Sequence, residues 1–157
     1  MAAELIYDSL MVSHAPTAAE ASEYISDLVA ANLSIREVWL FGSRANGSAR
    51  PESDWDYMAF ADDATLKALR GDSRFHRAGI DLMIVVDGDQ FAAPWADHSR
   101  SKSGRLAKVD GGWHWNPVSL AKATYRATKP PQIEGGDVRI LQQWALRVYP
   151  QDDEDVA

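Results

Sequence analysis

The residues best suited to chemistry are a Gly-Ser pair, Gly42-Ser43, and three aspartates, Asp54, Asp56 and Asp81. Gly42 follows a run of bulky apolar residues. A glycine there lets backbone approach a ligand closely, and amides that open a following helical turn can face phosphate oxygens. Asp54 and Asp56 are two apart. On an extended chain such residues project to one side with Cα atoms about 6.5–7 Å apart, so two carboxylates can reach a shared pair of hard cations. Asp81 opens the most apolar segment of the chain, where a carboxylate is costly unless it is paired or holds a metal. Mg²⁺ takes oxygen ligands from a few carboxylates, waters and phosphates, and a pair of such ions can steady the attacking and leaving oxygens of a displacement. A third carboxylate can hold the second ion or accept the proton of an attacking hydroxyl. A lone Asp-x-Asp would be weak evidence, since acids are 23 of 157 residues. The Gly-Ser pair, the ten residues 44–53 and the third aspartate together make the pattern specific.

These groups need particular elements to carry them. Thr17-Ala-Ala-Glu20 has the form of a capping box, and Ala21, Ile25, Leu28 and Val29 recur at helical spacing, which predicts a helix fading near Asn32. Ile35–Phe41 reads as a strand ending at the Gly-Ser pair, and residues 44–53 as turn. Asp54–Phe60 reads as a second strand, and Asp63 is expected to cap a helix through Leu69 that stops at Gly71. Ile80–Val86 should be a central strand closed by Asp87-Gly88. Further on, 89–97 is expected as a short helix. Arg105–Val109 and Trp113–Trp115 read as a hairpin about Asp-Gly-Gly, and Pro117–Thr128 and Asp137–Tyr149 as helices. The expectation is one α/β domain over 1–157, with a mixed sheet flanked by helices. Its motif core is 36–87, its accessory hairpin and helices 98–149, and its acidic tail 151–157.

The stretch VWLFGSRANGSARPESDWDYMAF, with Asp81 in GIDLMIV, resembles the signature of the polymerase-β-like nucleotidyltransferase superfamily, closest to its small, minimal members. That signature is a hydrophobic residue, Gly-Ser, about ten residues, Asp-hydrophobic-Asp-hydrophobic, and a third aspartate on a later strand. Asn46 stands where a second arginine is usual, and Trp55 and Tyr57 stand where aliphatics are usual. The resemblance covers roughly residues 36–86. It implies transfer of a nucleoside monophosphate, most simply AMP from ATP, to a hydroxyl acceptor with Mg²⁺ (or Mn²⁺). Gly42, Ser43 and Arg44 would contact the triphosphate, Asp54 and Asp56 would bind metal, and Asp81 would complete the metal site and activate the acceptor. The acceptor could be a protein partner such as a toxin, or a small hydroxylated molecule. Relatives that modify small molecules usually carry a larger second domain. A second reading is a non-catalytic antitoxin or regulatory module that keeps the fold.

Composition narrows the classes. Apolar residues are 46% and charged residues 25%, an ordinary globular balance, and cysteine is absent, which removes disulfides, thiolate metal sites and thiol nucleophiles. A net charge of −7 argues against extensive nucleic-acid binding. There is no long apolar run, and MAAELIYDSL lacks a basic leader, so a cytoplasmic protein without a membrane partner is expected. The basic segment 98–108 is read first as a flexible loop, and Arg50 as loop charge or phosphate contact. His14, His76, His98 and His114 show no metal spacing. Trp39 and Trp144 are expected in the core, Trp113 and Trp115 to cover a core, and Trp55 to point away from the aspartates.

Overall fold

The computed structural model describes residues 15–88, 90–95, 103–105, 115–129, 133–137 and 139–151. The first helix, α1, spans Ala18–Ala31. The Glu20 amide donates to Thr17 Oγ1 at 3.2 Å and the Thr17 amide to Glu20 Oε1 at 3.0 Å, which closes the expected capping box. Strand β1 is Glu37–Phe41, followed by a single helical turn, α2, at Ser43–Asn46. Strand β2 is Trp55–Phe60, α3 is Asp63–Arg70, and β3 is Ile80–Val86. The cap of α3 is Asp62 rather than Asp63: its carboxylate accepts the Thr65 amide at 2.8 Å, three residues on, as an N-cap must.

The chain then departs from the helices expected of it. Within 89–97, Gln90–Ala92 is strand β4: Asp87 and Gly88 both adopt positive φ (52° and 80°), and β4 pairs back on β3. Backbone at Ser103–Arg105 adds strand β5 beside it, and Asn116–Pro117 forms β6. Lys122–Lys129 and Arg139–Tyr149 are strands β7 and β8, not helices. They pair with each other from Lys122↔Leu146 to Lys129↔Arg139, while β8 also pairs with β1. Ladder bonds on both sides of β8 outweigh the helix propensity of its Leu, Gln, Ala and Arg residues. Of the hairpin expected over Arg105–Val109 and Trp113–Trp115, Arg105 ends β5 and Trp115 precedes β6, while residues 106–114, Trp113 among them, lie outside the described residues.

All these strands join one mixed sheet in the order β5-β4-β3-β2-β1-β8-β7-β6, with β2 and β3 parallel. Alternation gives the sheet two apolar faces. One carries Val38, Leu40, Tyr57, Leu82 and Ile84 and is covered by Leu28 of α1 and Leu66 and Leu69 of α3. Burying one such leucine contributes about 1.5–3 kcal/mol. The other carries Trp39, Phe41, Met58, Phe60, Met83, Val85, Tyr125 and Ala145. Trp115 packs edge-on against Trp39 there, ring centres 5.1 Å apart, and so covers core as expected. Trp144 does not: it is 45% exposed, because β8 turns Ala145 inward and its neighbour outward. No helix among the described residues is long and apolar enough to cross a membrane.

Candidate functional site

The site begins where β1 ends. Gly42 has φ 73° and ψ −159°, a conformation essentially confined to glycine. A Cβ on Gly42 would collide with Oδ2 of Asp56, so the turn lies with its backbone directly on that carboxylate. Two side chains hold the turn, Tyr125 from the distant strand β7 and Asn46 from α2 itself. The Gly42 N–H donates to Tyr125 Oη of β7 at 3.1 Å, and Phe41 meets the Tyr125 ring edge-on, 6.0 Å between centres. Asn46 Nδ2 donates to the Gly42 carbonyl at 2.7 Å and to the Trp144 carbonyl at 3.1 Å, while its Oδ1 accepts the Trp144 N–H at 2.7 Å. Asn46 thus completes a backbone-like pairing between the turn and β8, with three short bonds that need an amide.

The aspartates meet across the sheet. Phe41 is level with Asp56, and Asp56 with Asp81, in adjacent strands spaced about 4.8 Å apart. Asp56 has the parity of Met58 and Phe60, and Asp81 that of Met83 and Val85, so both stand on the second face. Asp54 shares that parity just ahead of β2. All three line one cleft of about 510 Å³, whose wall also includes Phe41, Arg77 and Trp95. Asp54 and Asp81 are exposed and Asp56 half-buried. Burial, above all, pushes the Tyr125 hydroxyl above the usual tyrosine range, and the nearby Asp56 charge adds to this while the Gly42 N–H opposes it.

The donor set is hard oxygen, suited to Mg²⁺. Among the described residues no three acidic or histidine side chains gather closely enough to hold an ion by themselves. An ion here would complete its shell from phosphate oxygens and water, the usual way Mg²⁺ is held.

Arg44 stands elsewhere. Its guanidinium donates to the Ser53 carbonyl at 2.8 Å and the Pro51 carbonyl at 3.3 Å and lies 4.2 Å over the Trp55 ring, while its Nε is buried without a partner. It braces the loop between α2 and β2. Trp55 points to the helix-covered face, as expected, and its indole donates to the Pro16 carbonyl at 2.7 Å. The Arg50 amide donates to Ser53 Oγ at 2.8 Å, and the residue is exposed. His76 is exposed and stacked on Trp95. His14, His98 and His114 lie outside the described residues, as does most of 98–108. Sequence reasoning missed Tyr125 and Trp95, and it took Asn46 as a departure from pattern rather than as the clamp of the turn. Each role depends on a partner far along the chain, and for Tyr125 no local signal marks it.

Residues 23–77 match the family model described as polymerase beta, nucleotidyltransferase. The match takes in Gly42, Ser43, Asp54 and Asp56, ends before Asp81, and supports a polymerase-β-like nucleotidyltransferase domain in this chain. A solved structure from Sulfolobus solfataricus, provisionally assigned as a nucleotidyltransferase, is similar at 23% identity over 59% of this chain and 80% of that one, with a TM-score of 0.37. No curated protein matches the chain.

Proposed function

We propose that this nucleotidyltransferase-like domain transfers a nucleoside monophosphate, with ATP the favoured donor, to an acceptor hydroxyl. The observation that carries the reading is the row Gly42–Asp56–Asp81: a turn whose backbone rests on one carboxylate, with a second carboxylate level with the first on the next strand. Asp54, Asp56 and Asp81 would hold Mg²⁺ together with triphosphate oxygens, and the bound ions would neutralise charge on the phosphates. The Gly42-Ser43 turn, fixed by Asn46 and Tyr125, positions the outer phosphates through its backbone and the Ser43 hydroxyl. Asp81, exposed at the open side of the row, accepts the acceptor's proton. The acceptor oxygen bonds to the α-phosphorus, the bond from that phosphorus to the bridging oxygen breaks, and pyrophosphate leaves with the electron pair.

Asp81→Asn tests the assignment of roles. ATP binding should persist, because the turn and the other two carboxylates remain, while transfer falls by about 10²–10⁴-fold, the scale of a lost general base. Equal transfer by the variant would remove Asp81 from the role and direct attention to Glu52 and Asp87.

A further inference from the structure

The cleft continues past Asp81 to a wall that the proposed reaction has not used. Its surface there is His76, Arg77 and Trp95. The His76 and Trp95 rings are stacked, centres 5.0 Å apart and planes 4° from parallel. Trp95 is fixed: its indole N–H reaches the Leu69 carbonyl at 2.7 Å and the Asp72 carbonyl at 3.2 Å, and its body packs on the helix-covered core. His76, stacked on that fixed ring, is itself exposed. β4 lies beyond β3 on the side away from β2 and ends at Ala92, three residues before Trp95, so the cleft that holds Asp56 and Asp81 reaches the stacked pair on the side away from the Gly42 turn.

An in-line displacement puts the entering and leaving oxygens on opposite sides of the phosphorus. On the proposed function, which this argument rests on, pyrophosphate leaves on the Gly42 side of the aspartates. The acceptor must then enter from the opposite side, where the stacked pair stands. We infer that this end of the cleft is the acceptor subsite, and that His76 on Trp95 receives a flat ring carried beside the acceptor's hydroxyl. The charges favour an uncharged acceptor over the end of a nucleic acid. Three carboxylates line the cleft, and its arginine, Arg77, is already paired with Glu20 at 3.0 Å. A ring stacked on His76 places a neighbouring hydroxyl toward Asp81, which takes the proton as the new oxygen–phosphorus bond forms.

The test compares two small alcohols of equal reach, benzyl alcohol and cyclohexylmethanol. Full-length protein is saturated with Mg²⁺ and an ATP analogue whose α,β-bridge cannot be cleaved, and the His76 ring signals are followed by NMR. Benzyl alcohol should shift them saturably and cyclohexylmethanol should not. With ATP itself, benzyl alcohol should be the better acceptor by about tenfold, the scale of one stacked ring, and His76→Ala should erase that preference while leaving the ATP Kd within about twofold. Identical behaviour of the two alcohols in both assays overturns the subsite. So does a His76→Ala variant that weakens ATP but not inorganic tripolyphosphate, which would give the platform to the donor base. A ring-selective shift without any label transfer would uphold the ring site and bring down the transferase reading. Transfer to both alcohols alike, with His76 undisturbed, would do the reverse.

Discussion

Gly42→Ala is the sharpest perturbation the structure offers. Alanine at φ 73° and ψ −159° enters a region only glycine occupies readily, at a cost of roughly 1–3 kcal/mol. Its Cβ also meets the Asp56 carboxylate, which must move or push the turn away and loosen the bond from the Gly42 N–H to Tyr125, a contact of about 1 kcal/mol. The sum is about 2–4 kcal/mol. In a chain of 157 residues each kcal/mol lowers Tm by roughly 2–4 °C. Gly47→Ala is the internal control, because Gly47 is also left-handed (φ 76°) but nothing lies within 4 Å of its added Cβ. That change should cost only about 1–2 kcal/mol. Thermal melts with and without ATP and Mg²⁺ give the functional half. At 100 times its Kd a ligand stabilises by about 2.7 kcal/mol, a rise of roughly 5–11 °C. Gly47→Ala should keep that rise and Gly42→Ala should lose it. In an Asp56→Ala background the clash is gone, so the cost of Gly42→Ala should fall by about 1 kcal/mol or more. An undiminished cost there, or a full ligand-induced rise in Gly42→Ala, would refute the packing argument.

Other outcomes follow from the same contacts. Asn46→Ala removes three hydrogen bonds, two between the turn and Trp144 of β8 and one within the turn, each worth about 0.5–1.5 kcal/mol and partly replaced by water, so chemical denaturation should show a loss of about 2 kcal/mol. Asn46→Asp keeps the acceptor for the Trp144 N–H but sets a carboxylate against two carbonyls, and should fare no better. Asp54→Asn with Asp56→Asn should preserve the fold by circular dichroism and abolish the thermal rise from Mg²⁺ and ATP; an unchanged rise would place the ligand elsewhere. Burial pushes the Tyr57 hydroxyl up to about 12 from an ordinary value near 10. Because the folded protein favours the neutral phenol, this stability is complete below about pH 10 and is lost as pH rises toward about 12. Tyr57→Phe should flatten that alkaline loss in melts taken from pH 9 to 12, and an equal slope in wild type and variant would exclude Tyr57 as its source.

The half of the chain that builds the aspartate row was legible because its signals are local. Thr17 and Glu20 announce a helix within four residues, Gly42 ends a strand of bulky residues, and the two-residue spacing of Asp54 and Asp56 assigns both to one face. The level pairing of Asp56 with Asp81 follows once β2 and β3 are parallel neighbours. Beyond Gly88 the signals are not local. The residues of β8 suit a helix as well as a strand, and what makes them a strand is β1, about a hundred residues earlier, on one side and β7 on the other. Tyr125 and Trp144 inherit that difficulty. One was an unremarked tyrosine whose hydroxyl meets Gly42, and the other an expected core tryptophan that β8 turns outward. Arg44 shows a different limit. Its position beside Ser43 suggested phosphate, whereas the loop that follows has carbonyls that claim its guanidinium.

The central claim is best tested by where the phosphates go. The protein is incubated with Mg²⁺ and lysate from its own host, in parallel with ATP labelled at the α-phosphate and at the γ-phosphate. The account predicts that α-label becomes covalently attached to an acceptor while γ-label appears in pyrophosphate, and that Asp81→Asn suppresses both. Covalent γ-label on the acceptor would contradict it. So would the absence of α-label transfer with any of the four NTPs, from a protein that still binds a partner tightly, and that result would leave a regulatory module built on the same fold.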